Sequence, residues 1–265
     1  MELPFLRIRA VILDVYSTML TVGPAPADAE ARWQALYREQ VHREAPWTRT
    51  AFAAACSHVI ARRHAEARAR GIPWPEIHWP SVVTELIPDL KDSANGRLES
   101  FIDRQIQLGR TVGMGSETAT TLHLLRQRGV PLGIASNAQA YTLRELGEAL
   151  AGHGLDLGIF HPDLCFWSFR NGFSKPDPHV FQRLTLRLES LGIPPAQSLM
   201  VGDRADNDIR PARTFGWSTW HLTRGPGEAP FGSWSDLRTW LESRTGSEET
   251  AAHRTPGPDE VPSQS

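Results

Sequence analysis

The chain has 265 residues, of which 40% are hydrophobic and 22% charged, with a formal net charge of −2. So balanced a charge creates no field for nucleic acid or an acidic membrane surface, and this length is enough to bury a full core as one domain with a sizeable insertion. The cysteines, Cys56 and Cys165, stand far apart with no CxxC pair, which speaks against a disulfide framework or a zinc site and leaves buried reduced thiols.

No stretch reaches the ~20 apolar residues of a membrane span, and the first apolar run lacks a small-residue cleavage site, so a cytoplasmic protein is expected. That run, AVILD at 10–14, is too short for a helix and too continuously apolar for a half-exposed strand, so it predicts a buried parallel strand ending on Asp14. From 24 to about 115 the signals are mostly helical. Trp33, Leu36, Tyr37 and Val41 share one face, as do Phe52, Cys56 and Val59, and then Leu98, Phe101 and Ile102. The three prolines of GIPWPEIHWP at 71–80 interrupt the pattern with an extended connection, in which Trp74 and Trp79 are expected to pack.

Beyond 115 the pattern alternates. A helix in SETATTLHLLRQRG precedes a strand at 131–136, a third strand follows at 164–168, and a helix in PHVFQRLTLRLESLG, with Pro178 near its start and Gly192 past its end, precedes a strand at 198–203. A fifth strand is expected at 218–223. This order predicts an α/β fold, a Rossmann-like doubly wound parallel sheet with an inserted helical unit. Residues 1–23 and 116–243 would form the core domain and 24–115 the insertion. The polar, Gly/Pro/Ser-rich stretch 244–265 is expected to be a disordered tail.

Ligands of an open parallel sheet bind beyond the carboxyl ends of its strands. Asp14 ends the first strand, Ser136 and Asn137 the second, Lys175 follows the third and Asp203 ends the fourth, with Asp208 five residues on. Lys175 stands out further because only it and Lys91 are lysine among 28 basic residues. A compact ammonium can touch a carboxylate and a phosphoryl oxygen at once, where a planar guanidinium needs a wider cradle. Three acids gathered at two strand ends repel one another unless a cation sits among them, which points to a metal site.

The ordered pieces LDVYST, IASN, SKPDP and VGDRADND resemble the four motifs of the haloacid dehalogenase-like hydrolase superfamily, and the likeness covers residues 10 to about 225. The resemblance implies a Rossmann-like core with a helical cap between the first two motifs, which 24–115 would supply. It implies that Asp14 is a nucleophile forming a covalent aspartyl intermediate. Mg²⁺ would be held by Asp14, the backbone carbonyl of Tyr16 and Asp203, with Asp208 behind them holding metal-bound water or Lys175. Thr18, Ser136 and Asn137 would bind the substrate and Lys175 would stabilise charge.

Phosphatases of this superfamily usually carry an aspartate two residues past the nucleophile as general acid, and here that position is Tyr16. Three readings follow. The favoured one is a Mg²⁺-dependent phosphohydrolase of a small phosphorylated metabolite, with a good leaving group or an acid drawn from the cap, where His42, His64 and His78 are candidates. The second is carbon–halogen hydrolysis, since 2-haloacid dehalogenases resemble DxYxT. Those enzymes work without metal, typically lack the acid that Gly202–Asp203 preserves, and usually have a tyrosine where Phe181 stands. The third is a ligand- or partner-binding protein that has lost turnover. Phosphonate cleavage, which depends on a cap lysine in related hydrolases, would have only Lys91.

Overall fold

The structure, a computed structural model, describes residues 7–91 and 96–244. Six parallel strands form the main sheet in the order β5-β4-β1-β6-β7-β8. They are β1 (Ala10–Leu13), β4 (Leu132–Ser136), β5 (Phe160–Trp167), β6 (Ser198–Gly202), β7 (Ser218–Leu222) and β8 (Phe231–Gly232). A separate antiparallel pair joins β2 (Thr21–Gly23) to β3 (Thr111–Gly113).

Strand β1 lies at the centre, pairing with β4 on one side and β6 on the other, and every residue of these three strands is buried. Period-two alternation divides their side chains between two apolar cores. Val11, Leu13, Ile134, Leu199 and Val201 pack under one layer with Leu122, Leu146 and Leu237 from three helices. Ala10, Ile12, Ala135 and Met200 pack on the other face with Val180, Leu184 and Leu188 of the helix Pro178–Ser190. Both faces are covered, which is why the strands read as unbroken apolar runs.

Strand β5 begins earlier than its apolar run predicts, because the half-buried His161 and the exposed Pro162 and Asp163 interrupt the hydrophobic signal within a continuous strand. This is an edge strand, where a proline removes no ladder bond. Beside it Gly133 is required by space, since a Cβ there would overlap the backbone carbonyl of Leu164.

The helical segment leaves the core through β2 and returns through β3. Its helices Ala29–Val41, Arg49–Ala69, Trp79–Leu86 and Arg97–Gly109 enclose their own core, with Trp33 against Phe52 at 4.8 Å and Phe101 at 5.9 Å between ring centroids. The proline-rich connection docks on the main sheet's loops, where Ser174 N–H donates to the Trp74 carbonyl at 3.0 Å and Glu76 N–H to that of Gly172 at 3.0 Å. Only the Trp74 backbone is engaged in this way. Its side chain, expected to pack, is exposed, while Trp79 is half-buried at the start of its helix. Of the expected tail, 245–265 lies outside the described residues, and Arg244 is fixed by Ile8 N–H donating to its carbonyl at 3.1 Å. No helix of the described residues is long and apolar enough to cross a membrane.

Burial pushes the Cys165 thiol up to about 11 and that of Cys56 to about 12, so both stay protonated at neutral pH. Alkylation by iodoacetamide, followed by mass spectrometry, should therefore run at least about tenfold slower in native than in urea-unfolded protein, since the thiolate is the reacting form.

Candidate active site

The carboxyl ends of β1, β4 and β6 open on one edge of the sheet, as parallel pairing requires. Asp14 is the first residue past β1 and is fixed by its N–H donating to the Val201 carbonyl at 3.0 Å. The chain then turns back through Ser17, whose φ is 61°, with Leu20 N–H donating to the Val15 carbonyl at 2.8 Å. This turn returns Thr18 to the carboxylates. Its hydroxyl lies 3.3 Å from Asp14 Oδ2 and 3.4 Å from Asp203 Oδ1, and its carbonyl accepts from the Trp234 indole at 3.1 Å.

Lys175 is 3% exposed, and its Nζ donates to Asp14 Oδ1 at 2.7 Å and to Asp208 Oδ1 at 2.5 Å. Burial works against its charge, but the two carboxylates outweigh burial and raise its pKa above the ordinary lysine value. The Asn137 side chain fixes the lysine's backbone. Its amide nitrogen donates to the Lys175 carbonyl at 2.9 Å, and its oxygen accepts the Lys175 N–H at 2.7 Å. Asn137, read from sequence as a substrate ligand, thus spends both side-chain atoms on positioning Lys175.

Asp208 enters on a π-helical turn over Ala205–Ile209 and accepts from Arg204 N–H at 3.1 Å. It can do so because residue 202 is glycine, since a Cβ there would fall inside the Asp208 carboxylate. Asp203 is held by its carbonyl, which accepts from His221 Nε2 at 2.9 Å, while His221 Nδ1 accepts from Glu228 N–H at 3.0 Å. That second bond places the ring proton on Nε2. Single carboxylate oxygens of Asp14, Asp203 and Asp208 all lie within 4.8 Å of one another. Burial pushes the Asp14 carboxyl up to about 6, with Lys175 pulling against it, and burial followed by the charge of Asp208 raises Asp203. Ser136 is 1% exposed, and its hydroxyl finds no partner among the described residues. A buried hydroxyl in that state is suited to a ligand oxygen.

Tyr16 turns its hydroxyl away from this cluster. The phenol oxygen pairs with Thr142 Oγ1 at 2.8 Å, donates to Glu145 Oε2 and accepts from Arg110 Nη2 at 2.8 Å, while the Arg110 guanidinium lies 4.4 Å from the ring centroid. Burial, then the bond to Glu145, raises its pKa above that of an ordinary tyrosine. Among the described residues, no hydrogen bond joins His42, His64 or His78 to the Asp14 cluster. Sequence reasoning missed Arg110, Thr142, Glu145 and His221. Glu145 did leave a trace, since on the helix Tyr141–Ala151 it occupies the buried stripe with Thr142, Leu146 and Leu150, where a carboxylate needs a partner.

The family model for haloacid dehalogenase-like hydrolases matches residues 8–216. The chain is 27% identical over 199 residues to phosphoserine phosphatase of Thermus thermophilus, 75% of each chain. It is 34% identical over 105 residues to glyceraldehyde 3-phosphate phosphatase of Methanopyrus kandleri, 40% of this chain and 41% of that one. A 2-haloacid dehalogenase of Pseudomonas syringae pv. Tomato superposes with a TM-score of 0.60 at 18% identity, over 89% of this chain and 99% of that one, and so shares the fold.

Replacing Gly202 by Ala should expel Asp208 from Lys175 while leaving the far-ultraviolet circular dichroism unchanged. Misplacing a site group by about 1 Å costs roughly 10²-fold, and a loss of that size in kcat/KM is expected.

Proposed function

The chain belongs to the haloacid dehalogenase-like hydrolases, and on that premise we propose that it is a phosphohydrolase acting on a small phosphorylated metabolite. The observation that carries this reading is the charge balance of the edge, where three converging carboxylates face one ammonium. An anionic phosphoryl group approaching such a site meets repulsion unless a further cation is present. The donors are all hard oxygens, which suits Mg²⁺, and the unpartnered Ser136 hydroxyl suits the phosphoryl oxygen. Asp14, the Tyr16 carbonyl and Asp203 would hold the ion, with Asp208 behind them through Lys175. When bound, it would supply positive charge between the nucleophile and the phosphoryl oxygens.

Asp14 is the nucleophile in this scheme. Its carboxylate attacks phosphorus, the bond to the leaving oxygen breaks, and water later releases phosphate from the aspartyl phosphate. Lys175 keeps Asp14 ionised and aimed, and Ser136 donates to a phosphoryl oxygen. The helical segment 24–115, hinged at β2 and β3, serves as the cap over this edge. Tyr16 favours the dehalogenase alternative, whereas Asp203 in the cluster opposes it. Phe181, where those enzymes usually carry a tyrosine, is buried in the core beside Trp217 at 5.9 Å between ring centroids.

Phosphate and halide release, assayed side by side with Mg²⁺ and with a chelator, separates the readings. Phosphate release that the chelator abolishes is expected; halide release from a 2-haloacid, indifferent to chelation, would replace the phosphatase reading. Asp14→Asn should stay folded and lose on the order of 10³-fold or more in turnover, and a folded variant with wild-type rate would remove Asp14 from this role.

A further inference from the structure

By the resemblance to phosphatases of the family, Tyr16 stands where a proton donor would serve the leaving oxygen, and its hydroxyl is fully engaged elsewhere. Thr142 Oγ1 and Arg110 Nη2 each lie 2.8 Å from it, and its own proton goes to the buried Glu145. A general acid must come within about 2.6–3.2 Å of the atom it protonates and contributes roughly 10²–10⁴-fold. A leaving group that needs protonation is disfavoured to that extent.

A second observation concerns what the leaving group meets. On the same sheet edge, a cavity of about 310 Å³ opens between the helical segment and the loops after β4 and β5. Gln139, three residues past Ser136 in the chain, is part of its lining, and its walls include Trp79, Ala140, Tyr141 and Phe169 beside the ion pair of Asp103 and Arg144. An aromatic-walled space of this size holds a ring-sized apolar body.

Resting on the phosphohydrolase reading, we infer that the substrate class is phosphate monoesters of weakly basic, conjugated oxygen leaving groups carried on an apolar ring, phenolic esters above all. Such a group needs no acid. As Asp14 Oδ forms its bond to phosphorus, the phosphorus–oxygen bond breaks with its electron pair on the departing oxygen, which leaves as a phenolate stabilised by its ring. Water then attacks the aspartyl phosphate, and the phosphorus–Asp14 bond breaks with its pair on the carboxylate. The water's two hydrogens leave on the phosphate or to solvent. A phenol, with an ordinary pKa near ~10, departs unaided far more readily than an alcohol.

The test is phosphate release by the full chain with Mg²⁺ from substituted phenyl phosphates of graded leaving-group pKa and from glycerol phosphate. The expected result is a kcat/KM that falls steeply as leaving-group pKa rises, with the alkyl ester at least about 10²-fold below phenyl phosphate. Alkyl and phenyl esters turned over alike would overturn the inference while keeping the phosphohydrolase. Halide release without phosphate release would instead remove the phosphohydrolase reading, and the inference with it. Tyr16→Phe, which retains the ring, should leave the slope against leaving-group pKa unchanged; a steeper slope would make the hydroxyl the acid and sink the inference. Ala140→Phe should raise KM for phenyl phosphate at least about tenfold while affecting acetyl phosphate much less, and an equal effect on both would remove the cavity from the argument.

Discussion

Lys175 is a buried ammonium, and the geometry of this sheet edge is arranged around the need to keep it paired. A charge so deep would lose its proton or open the fold without partners, and removing one partner of a buried pair typically costs about 3–5 kcal/mol. Asp14 and Asp208 supply those partners from beyond β1 and β6, and Asn137, beyond β4, clamps the lysine's backbone. One cation therefore joins three strand ends that only the sheet brings together. Satisfying Lys175 leaves an excess of negative charge at Asp203, whose carboxyl is raised by burial and by the charge of Asp208.

Two close approaches make the arrangement sterically exact in places that carry no chemistry. Gly202 leaves room for the Asp208 carboxylate and Gly133 for the Leu164 carbonyl. The first belongs to the site itself, since Asp208 cannot reach Lys175 past a Cβ. The second holds the edge strand β5 against β4, and thereby holds the loop that carries Lys175.

Tyr16 gains its meaning from a different set of neighbours. Arg110 lies just before β3, where the helical segment returns to the core, while Glu145 and Thr142 lie on a helix of the core. The phenol thus ties the loop after Asp14 to the place where the helical segment rejoins the core. A residue that reads in sequence as a missing acid is, in space, a structural tie whose hydroxyl is already committed.

The parallel-sheet fold was legible because strands buried on both faces must be continuously apolar, and the runs at 10–14, 131–136 and 198–203 show it. Strand β5 was legible only in its second half, because an edge strand tolerates the polar and proline residues of His161–Asp163. Trp74 misled, because an aromatic ring next to prolines reads as packing while the fold engages only its carbonyl. Asp14, Lys175, Asp203 and Asp208 could be named in advance because parallel strands deliver their carboxyl ends to one edge whatever the loops do. The sequence by itself determined the strands and the charges at their ends, since hydrophobic period is local. Only the tertiary structure decided where the Tyr16 hydroxyl points, what Asn137 holds and which cavity Gln139 lines. Those outcomes depend on contacts between segments dozens of residues apart, and no local pattern encodes them.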